Sequence, residues 1–215
     1  MKNYDTVIFD LDGTLHNTLE DLADSVNYAL ALHALPCRTL AEIRCFVGNG
    51  VAKLIARAVP DGTDSTLEAR CLADFQAHYL EHMQDKTAPY PGVLELLDTL
   101  RENGVKLAVA SNKFEDAVKA LCSVYFGDRF DVAVGASDRA AKKPAPDMVF
   151  NAIKALNADS ARTVYVGDSD VDADTAHNAG LPFLAVTWGF RDEDCLRGHG
   201  ATVFAGNTEE LLKLL

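Results

Sequence analysis

The segment Thr6-Val7-Ile8-Phe9-Asp10-Leu11-Asp12-Gly13-Thr14-Leu15 narrows the choice of fold more than any other in this chain. Thr6 to Phe9 is a short apolar run of β-branched and aromatic residues, which predicts a buried strand. The strand runs directly into two carboxylates and is stopped by a glycine. Side chains alternate on extended backbone, so Asp10 and Asp12 project to one side and Leu11 to the other. Two unpaired charges about 4 Å apart would repel by roughly 4 kcal/mol at a surface-like dielectric, so the pair calls for a cation or a shared proton. An ordinary Asp-Gly turn with solvated acids is the plainer interpretation, and the rest of the chain has to decide between them.

Downstream, the pattern turns helical for about seventy residues. Asp21 to Leu32, Val47 to Val59 and Leu67 to Met83 carry apolar residues at helical spacing, and no strand is expected among them. Pro89-Tyr90-Pro91-Gly92 punctuates the return. The chain then alternates: helix from Val93 to Arg101, strand Val105 to Ala110, helix Glu115 to Val124, strand Val132 to Val134, helix Asp147 to Leu156 and strand Val164 to Val166. A helix to Asn178, a strand Phe183 to Val186 and a terminal helix Glu209 to Leu214 follow. This order predicts an α/β fold, a doubly wound parallel sheet with a small helical cap inserted after the first strand. The expected division is a core of residues 1–15 and 87–215 and a cap of residues 16–86. Ligands of such sheets sit beyond the carboxyl ends of the strands, which should bring Asp10 and Asp12, Ser111 and Asn112, and Asp168 together.

The matching residues resemble the aspartate-nucleophile phosphatases of the haloacid dehalogenase (HAD) superfamily. Asp10-Leu11-Asp12-Gly13-Thr14-Leu15 is similar to the first motif. Ser111 after a buried strand is similar to the second, Lys143 before Pro144 to the third, and Gly167-Asp168 with Asp172 four residues on to the fourth. The four occur in family order across about 160 residues. The resemblance implies Asp10 as nucleophile and Asp12 as general acid and base, with Ser111, Asn112 and Lys143 binding phosphate. It further implies Mg²⁺ held by Asp10, Asp12 through its backbone carbonyl, Asp168 and Asp172, a cluster of hard oxygens that suits that ion. Asp12 sets the chain apart from haloalkanoic acid dehalogenases, whose halide leaves without a proton. Asn17 stands where many relatives carry an acid.

Phe46-Val47-Gly48-Asn49-Gly50-Val51 with Lys53, and Val186-Thr187-Trp188-Gly189-Phe190-Arg191, resemble segments of phosphoglycolate phosphatases. This implies Asn49 and Lys53 as substrate contacts, with Arg44, Lys53 and Arg57 able to attract a carboxylate. A plain helix-turn-helix with Asn49 as a cap and Lys53 in solvent explains the same residues. His78 and His82 stand four apart on an expected helix without a third metal ligand, as on a solvated face. The expected substrate is a small phosphorylated metabolite. A β-phosphoglucomutase-like phosphotransferase or a non-enzymatic phospho-aspartate switch would share some of these residues.

A net charge of −12 opposes nucleic-acid and membrane-surface partners. The first residues lack the apolar core of a secretory leader, and no apolar run approaches a membrane span. Cys37, Cys45, Cys71, Cys122 and Cys195 are widely spaced without a Cys-x-x-Cys, the usage of reduced thiols in a cytoplasmic protein. Oligomeric state has no sequence signature here.

Overall fold

The structure is a computed structural model that describes residues 4–137 and 140–215. Met1–Asn3, part of the stretch assessed for a leader, lie outside the described residues. In chain order the elements are β1 (Thr6–Phe9), β2 (His16–Asn17), α1 (Leu19–Leu32), α2 (Leu40–Phe46), α3 (Val51–Ala58), α4 (Ser65–His82), β3 (Ala88–Pro89) and α5 (Val93–Glu102). They continue with β4 (Lys106–Phe114), α6 (Glu115–Phe126), β5 (Val132–Ala136), α7 (Asp147–Leu156), β6 (Thr163–Gly167) and α8 (Asp170–Ala179). β7 (Phe183–Val186), α9 (Glu193–Gly198), β8 (Phe204–Ala205) and α10 (Thr208–Leu214) complete the chain.

Six strands form one sheet in the order β5-β4-β1-β6-β7-β8, every pair parallel. The chain goes from β1 to one side for β4 and β5, then crosses to the other for β6 to β8. β1 is therefore the switch point, and the crevice beyond its carboxyl end is where such a sheet offers a ligand site. Both faces are covered, which is why β1 is apolar throughout: Val7 and Phe9 enter one core cluster and Ile8 another. The second cluster draws on α7 and α8 through Met148, Val149, Ala152 and Ala176. The first draws on α5, α6 and α10, and runs without a break into Leu22, Leu30, Ile43, Ile55 and Phe75 of α1 to α4.

The helical stretch departs from the sequence expectation in three places. The helix expected from Val47 begins only at Val51, because Gly48 and Gly50 have φ of +121° and +83°, a backbone that does not continue a helix. An earlier helix, α2, was signalled by a capping box: the Thr39 hydroxyl accepts from the Glu42 N–H while the Glu42 carboxylate accepts from the Thr39 N–H. Where no strand was expected, His16–Asn17 pairs antiparallel with Ala88–Pro89, so the insertion leaves and returns through a two-residue ribbon too short for any periodicity to reveal.

β4 also differs. It runs on to Phe114, and between the pairs Ala110–Val134 and Phe114–Ala136 three of its residues face one of β5. The bulge places Ser111, Asn112 and Lys113 inside the strand rather than after it, and turns them toward the crevice.

A buried acid closes the base of the insertion. Asp21 in the first turn of α1 accepts from the Lys86 N–H at 2.9 Å and the Thr87 N–H at 2.8 Å. Asp21→Ala leaves these two N–H groups without their acceptor. The variant is expected to lose about 1–3 kcal/mol of stability in urea unfolding, and a loss well below that range would show that water replaces the carboxylate.

Candidate active site

Asp10, Asp168 and Asp172 meet beyond the ends of β1 and β6. They are buried, and one carboxylate oxygen from each lies within 4.8 Å of the others. Asp10 leaves β1 with its N–H bonded to the Val166 carbonyl, so the backbone itself brings the first acid alongside β6. Asp172 belongs to the first turn of α8, where Ser169 caps the helix in a capping box with it.

Lys143 stands among these acids, its side chain 3% exposed. Its Nζ donates to Asp10 Oδ1 at 2.6 Å, to Asp172 Oδ1 at 2.7 Å and to the Tyr165 hydroxyl at 3.0 Å. Burial opposes the ammonium charge, but Asp10, Asp172 and Tyr165 outweigh it and hold the Lys143 pKa well above its ordinary value. Burial and the charge of Asp172 push the Asp10 carboxyl well up, against the pull of Lys143. Asp168 rises to about 7, again through burial and Asp172, although the Phe190 N–H, Thr14 and Lys143 favour its charged form.

Asp168 is held from three sides. The Thr14 hydroxyl donates to Oδ1 at 2.9 Å and the Phe190 N–H to Oδ2 at 2.7 Å. A Cβ added at Gly189 would lie 2.3 Å from the Asp168 Cβ, and one added at Gly13 would lie 2.4 Å from Oδ2. These glycines let two backbone segments form the walls of the carboxylate's slot. Trp188, beside Gly189, donates its indole N–H to the Thr14 carbonyl at 3.0 Å and fixes one wall to the other.

The other expected site residues take varied places. Ser111, Asn112 and Asp12 line the same cavity as Asp10, Lys143 and Asp168. Ser111 is buried, its Oγ accepting from the Lys113 N–H at 3.2 Å. The Asn112 amide donates to the Gly48 and Lys143 carbonyls and accepts from the Lys143 N–H, so its side chain organises the loop that carries Lys143. The Asp12 carboxylate turns away from the three-acid cluster to Lys113 Nζ, at 2.8 and 3.0 Å. Asp172 uses Oδ1 for Lys143 and Tyr165 and Oδ2 for Ser169, so its side chain positions the lysine.

Asn49 and Lys53 are not in the cavity lining. Asn49 Oδ1 accepts from Arg57 at 2.8 Å, the cap of α3 is Gly50, and Lys53 is exposed. Arg57 also donates to the Phe46 carbonyl. Arg44 donates to the Phe190 and Gly189 carbonyls, both at 2.8 Å, while Arg191 returns bonds to the Arg44 and Val47 carbonyls. The two arginines thus clasp the insertion to the loop that walls Asp168. His78 and His82 stack on each other at 4.2 Å, with His78 against the Ser25 hydroxyl and His82 against Asp85.

Lys113, Thr14, Tyr165 and Gly189 were not singled out by sequence as parts of the site, although Thr14 lies in the first motif. Only proximity to Ser111 pointed to Lys113. Tyr165 read as a strand residue, yet its hydroxyl accepts from Lys143 and donates to Asp172.

Three buried acids with one ammonium among them fit a divalent cation, which needs hard anionic oxygens and compensates their excess charge. Without metal, the raised pKa of Asp168 favours its protonated form. The stability it contributes is present below about pH 4 and is lost as pH rises through about 7. A divalent cation would compete with protons for these carboxylates, so the rise in Tm on adding one such as Mg²⁺ to chelator-treated protein should be larger at pH 8 than at pH 5; equal rises would contradict this assignment. Gly189→Ala pushes Asp168 from its slot and should weaken divalent-cation binding by about tenfold or more in calorimetry while leaving the circular dichroism native.

Comparison with known proteins agrees with this geometry. The model of the family described as haloacid dehalogenase-like hydrolase matches residues 7–186. A phosphoglycolate phosphatase of Mesorhizobium japonicum is 37% identical over 190 residues, covering 86% of this chain and 84% of its own. One from Cereibacter sphaeroides is 36% identical over 216 residues, covering 97% and 98%. The crystal structure of a candidate phosphoglycolate phosphatase from Lactobacillus delbrueckii subsp. bulgaricus superposes with a TM-score of 0.95 at 37% identity, covering 100% of this chain and 98% of that one. CbbY from Rhodobacter sphaeroides, solved in complex with phosphate, gives 0.79 at 26% identity, covering 97% and 96%. The chain belongs to the haloacid dehalogenase-like hydrolases.

Proposed function

We propose that the protein is a Mg²⁺-dependent phosphatase of small phosphomonoesters, with phosphoglycolate as the first candidate substrate. The observation that carries this reading is the pairing of Asp10 with Lys143 beside Asp168, at the switch point of the sheet. The names of the relatives supply the candidate substrate.

Asp10 is the nucleophile. One of its oxygens attacks phosphorus in line, the bond from phosphorus to the ester oxygen breaks, and an aspartyl-phosphate forms. Asp12 gives its proton to the departing ester oxygen, then takes one from the water that hydrolyses the aspartyl-phosphate. Lys143 and Ser111 face the oxygens of the transferring group and stabilise their charge. Asp10 and Asp168 would hold the metal, with the Asp12 backbone carbonyl as a further ligand and Asp172 acting mainly through Lys143. The ion supplies charge neutralisation, so that an anionic nucleophile and an anionic phosphate can meet.

Residues 16–86 act as the cap. Leu22, Val47, Val51 and Leu54 put an apolar wall opposite Asp10 and Lys143. An apolar wall gives neither a polyhydroxylated sugar nor a carboxylate many partners, so the choice of phosphoglycolate rests on the names of the relatives. Among the described residues no helix is long and apolar enough to cross a membrane, and all five cysteines are free thiols, in keeping with a cytoplasmic setting.

The test is phosphate release from a panel of small phosphomonoesters, with and without Mg²⁺. Turnover should require the metal, rank phosphoglycolate high and fall at least about 10³-fold in Asp10→Asn. Substantial turnover by that variant would overturn the nucleophile assignment. Release only in the presence of a sugar bisphosphate would point instead to a phosphotransferase.

A further inference from the structure

Two buried lysines line the cavity, and the reaction just described uses only Lys143. Lys113 lies two residues beyond Ser111 in the bulged part of β4, with its side chain 2% exposed. Its Nζ donates to both oxygens of the Asp12 carboxylate, at 2.8 and 3.0 Å. The same ammonium stands 4.7 Å from the ring centroid of Tyr79, a fully buried residue of α4 in the helical insertion. An ammonium has three N–H groups; two are directed at Asp12, and the ring face meets the remaining charge.

Among the described residues, Lys113 alone forms an ion pair with Asp12. His16 is the other basic group here: Asp12 and His16 pair through an isolated backbone bridge, and the imidazole stacks on Phe126 at 4.5 Å. Burial chiefly, with Lys113 adding to it and Asp12 opposing, lowers the His16 pKa to about 3, so the ring is neutral at physiological pH. For Lys113, burial opposes the charge, but Asp12 and Tyr79 more than offset it and keep the ammonium protonated.

A buried ion pair is a poor source of stability, because desolvation consumes most of its Coulomb energy. What it does provide is direction: two short hydrogen bonds to one carboxylate fix the rotation of that group. A proton in flight between Asp12 and an ester oxygen needs that alignment, since hydrogen-bond distance and angle govern general acid catalysis.

We propose that Lys113 is the positioning residue for Asp12, fixing the direction of the carboxylate that exchanges protons with the leaving group, and that Tyr79 of α4 makes this alignment depend on the insertion. The inference rests on the reading of Asp12 as general acid and base. It touches no step of metal binding and gives Lys113 no contact with substrate.

The experiment compares kcat/KM, which reports on the steps through phosphoryl transfer, for two esters in Lys113→Gln and in the wild type. Phosphoglycolate has a leaving alkoxide that requires a proton, whereas p-nitrophenolate departs from p-nitrophenyl phosphate without one. The loss on phosphoglycolate should exceed the loss on p-nitrophenyl phosphate by at least about tenfold, in protein whose thermal unfolding remains cooperative. Tyr79→Leu, which keeps both charges, should show the same imbalance at smaller size, and it decides the matter if Lys113→Gln does not fold. Equal losses on the two esters, or none on either, would overturn the proposal while leaving the phosphatase reading intact. Wild-type protein that releases phosphate from no ester of the panel would instead overturn the phosphatase reading, and this inference with it; if another alkyl ester of the panel is turned over in place of phosphoglycolate, it takes that ester's part in the comparison.

Discussion

The burial of Asp10, Asp168 and Asp172 around one ammonium is the constraint on which the rest of the architecture depends. Charges of one sign taken out of water cost several kcal/mol each unless they are paired. Lys143 meets two of the three acids directly, and the hydrogen bonds from Thr14, Phe190 and Ser169 meet much of what remains. The residual imbalance appears in the raised pKa values of Asp10 and Asp168, and it is what makes the site attractive to a cation. Stability is given up here so that charge can be used.

The sheet was legible in the sequence because alternation of apolar runs with amphipathic helices has one sterically favoured outcome, a right-handed parallel arrangement. Asp10, Asp12, Ser111 and Asp168 could be expected together for the same reason, since each follows an apolar run that had to be a strand. Lys143 was legible through the proline after it. Lys113 and Tyr165 were not: each sits inside a strand, where the side chain's direction depends on a bulge or on a neighbour far along the chain. The Asn112 side chain braces the segment that carries Lys143, a role that only a contact 31 residues away defines.

The helical insertion was legible in type but not in detail. Its apolar spacing marked three helices and missed α2, whose capping box is a local polar signal rather than a periodic one. Asn49 and Lys53 were expected at the site from the resemblance of their segment, yet Gly48 and Gly50 carry the turn and leave Asn49 beside Arg57 and Lys53 in solvent. Arg44 and Arg57 read as free positive charge, whereas Arg44 is occupied by the Gly189 and Phe190 carbonyls across the boundary between insertion and sheet, and Arg57 by the Phe46 carbonyl and Asn49. A cation's availability is a property of tertiary structure, so sequence overstates it.

The ribbon of His16–Asn17 with Ala88–Pro89 sets a rule for what this fold can tolerate. Because the two ends of the interposed chain lie side by side, the sheet spans the same distance whatever is placed between them. Adding residues beyond the ribbon raises only the slowly growing entropy of closing a longer loop. The strand that leads to Asp10 is thereby insulated from change in the helices above it. New specificity can be written into those helices by insertion or replacement while the register of β1 against β4 and β6 stays as it is.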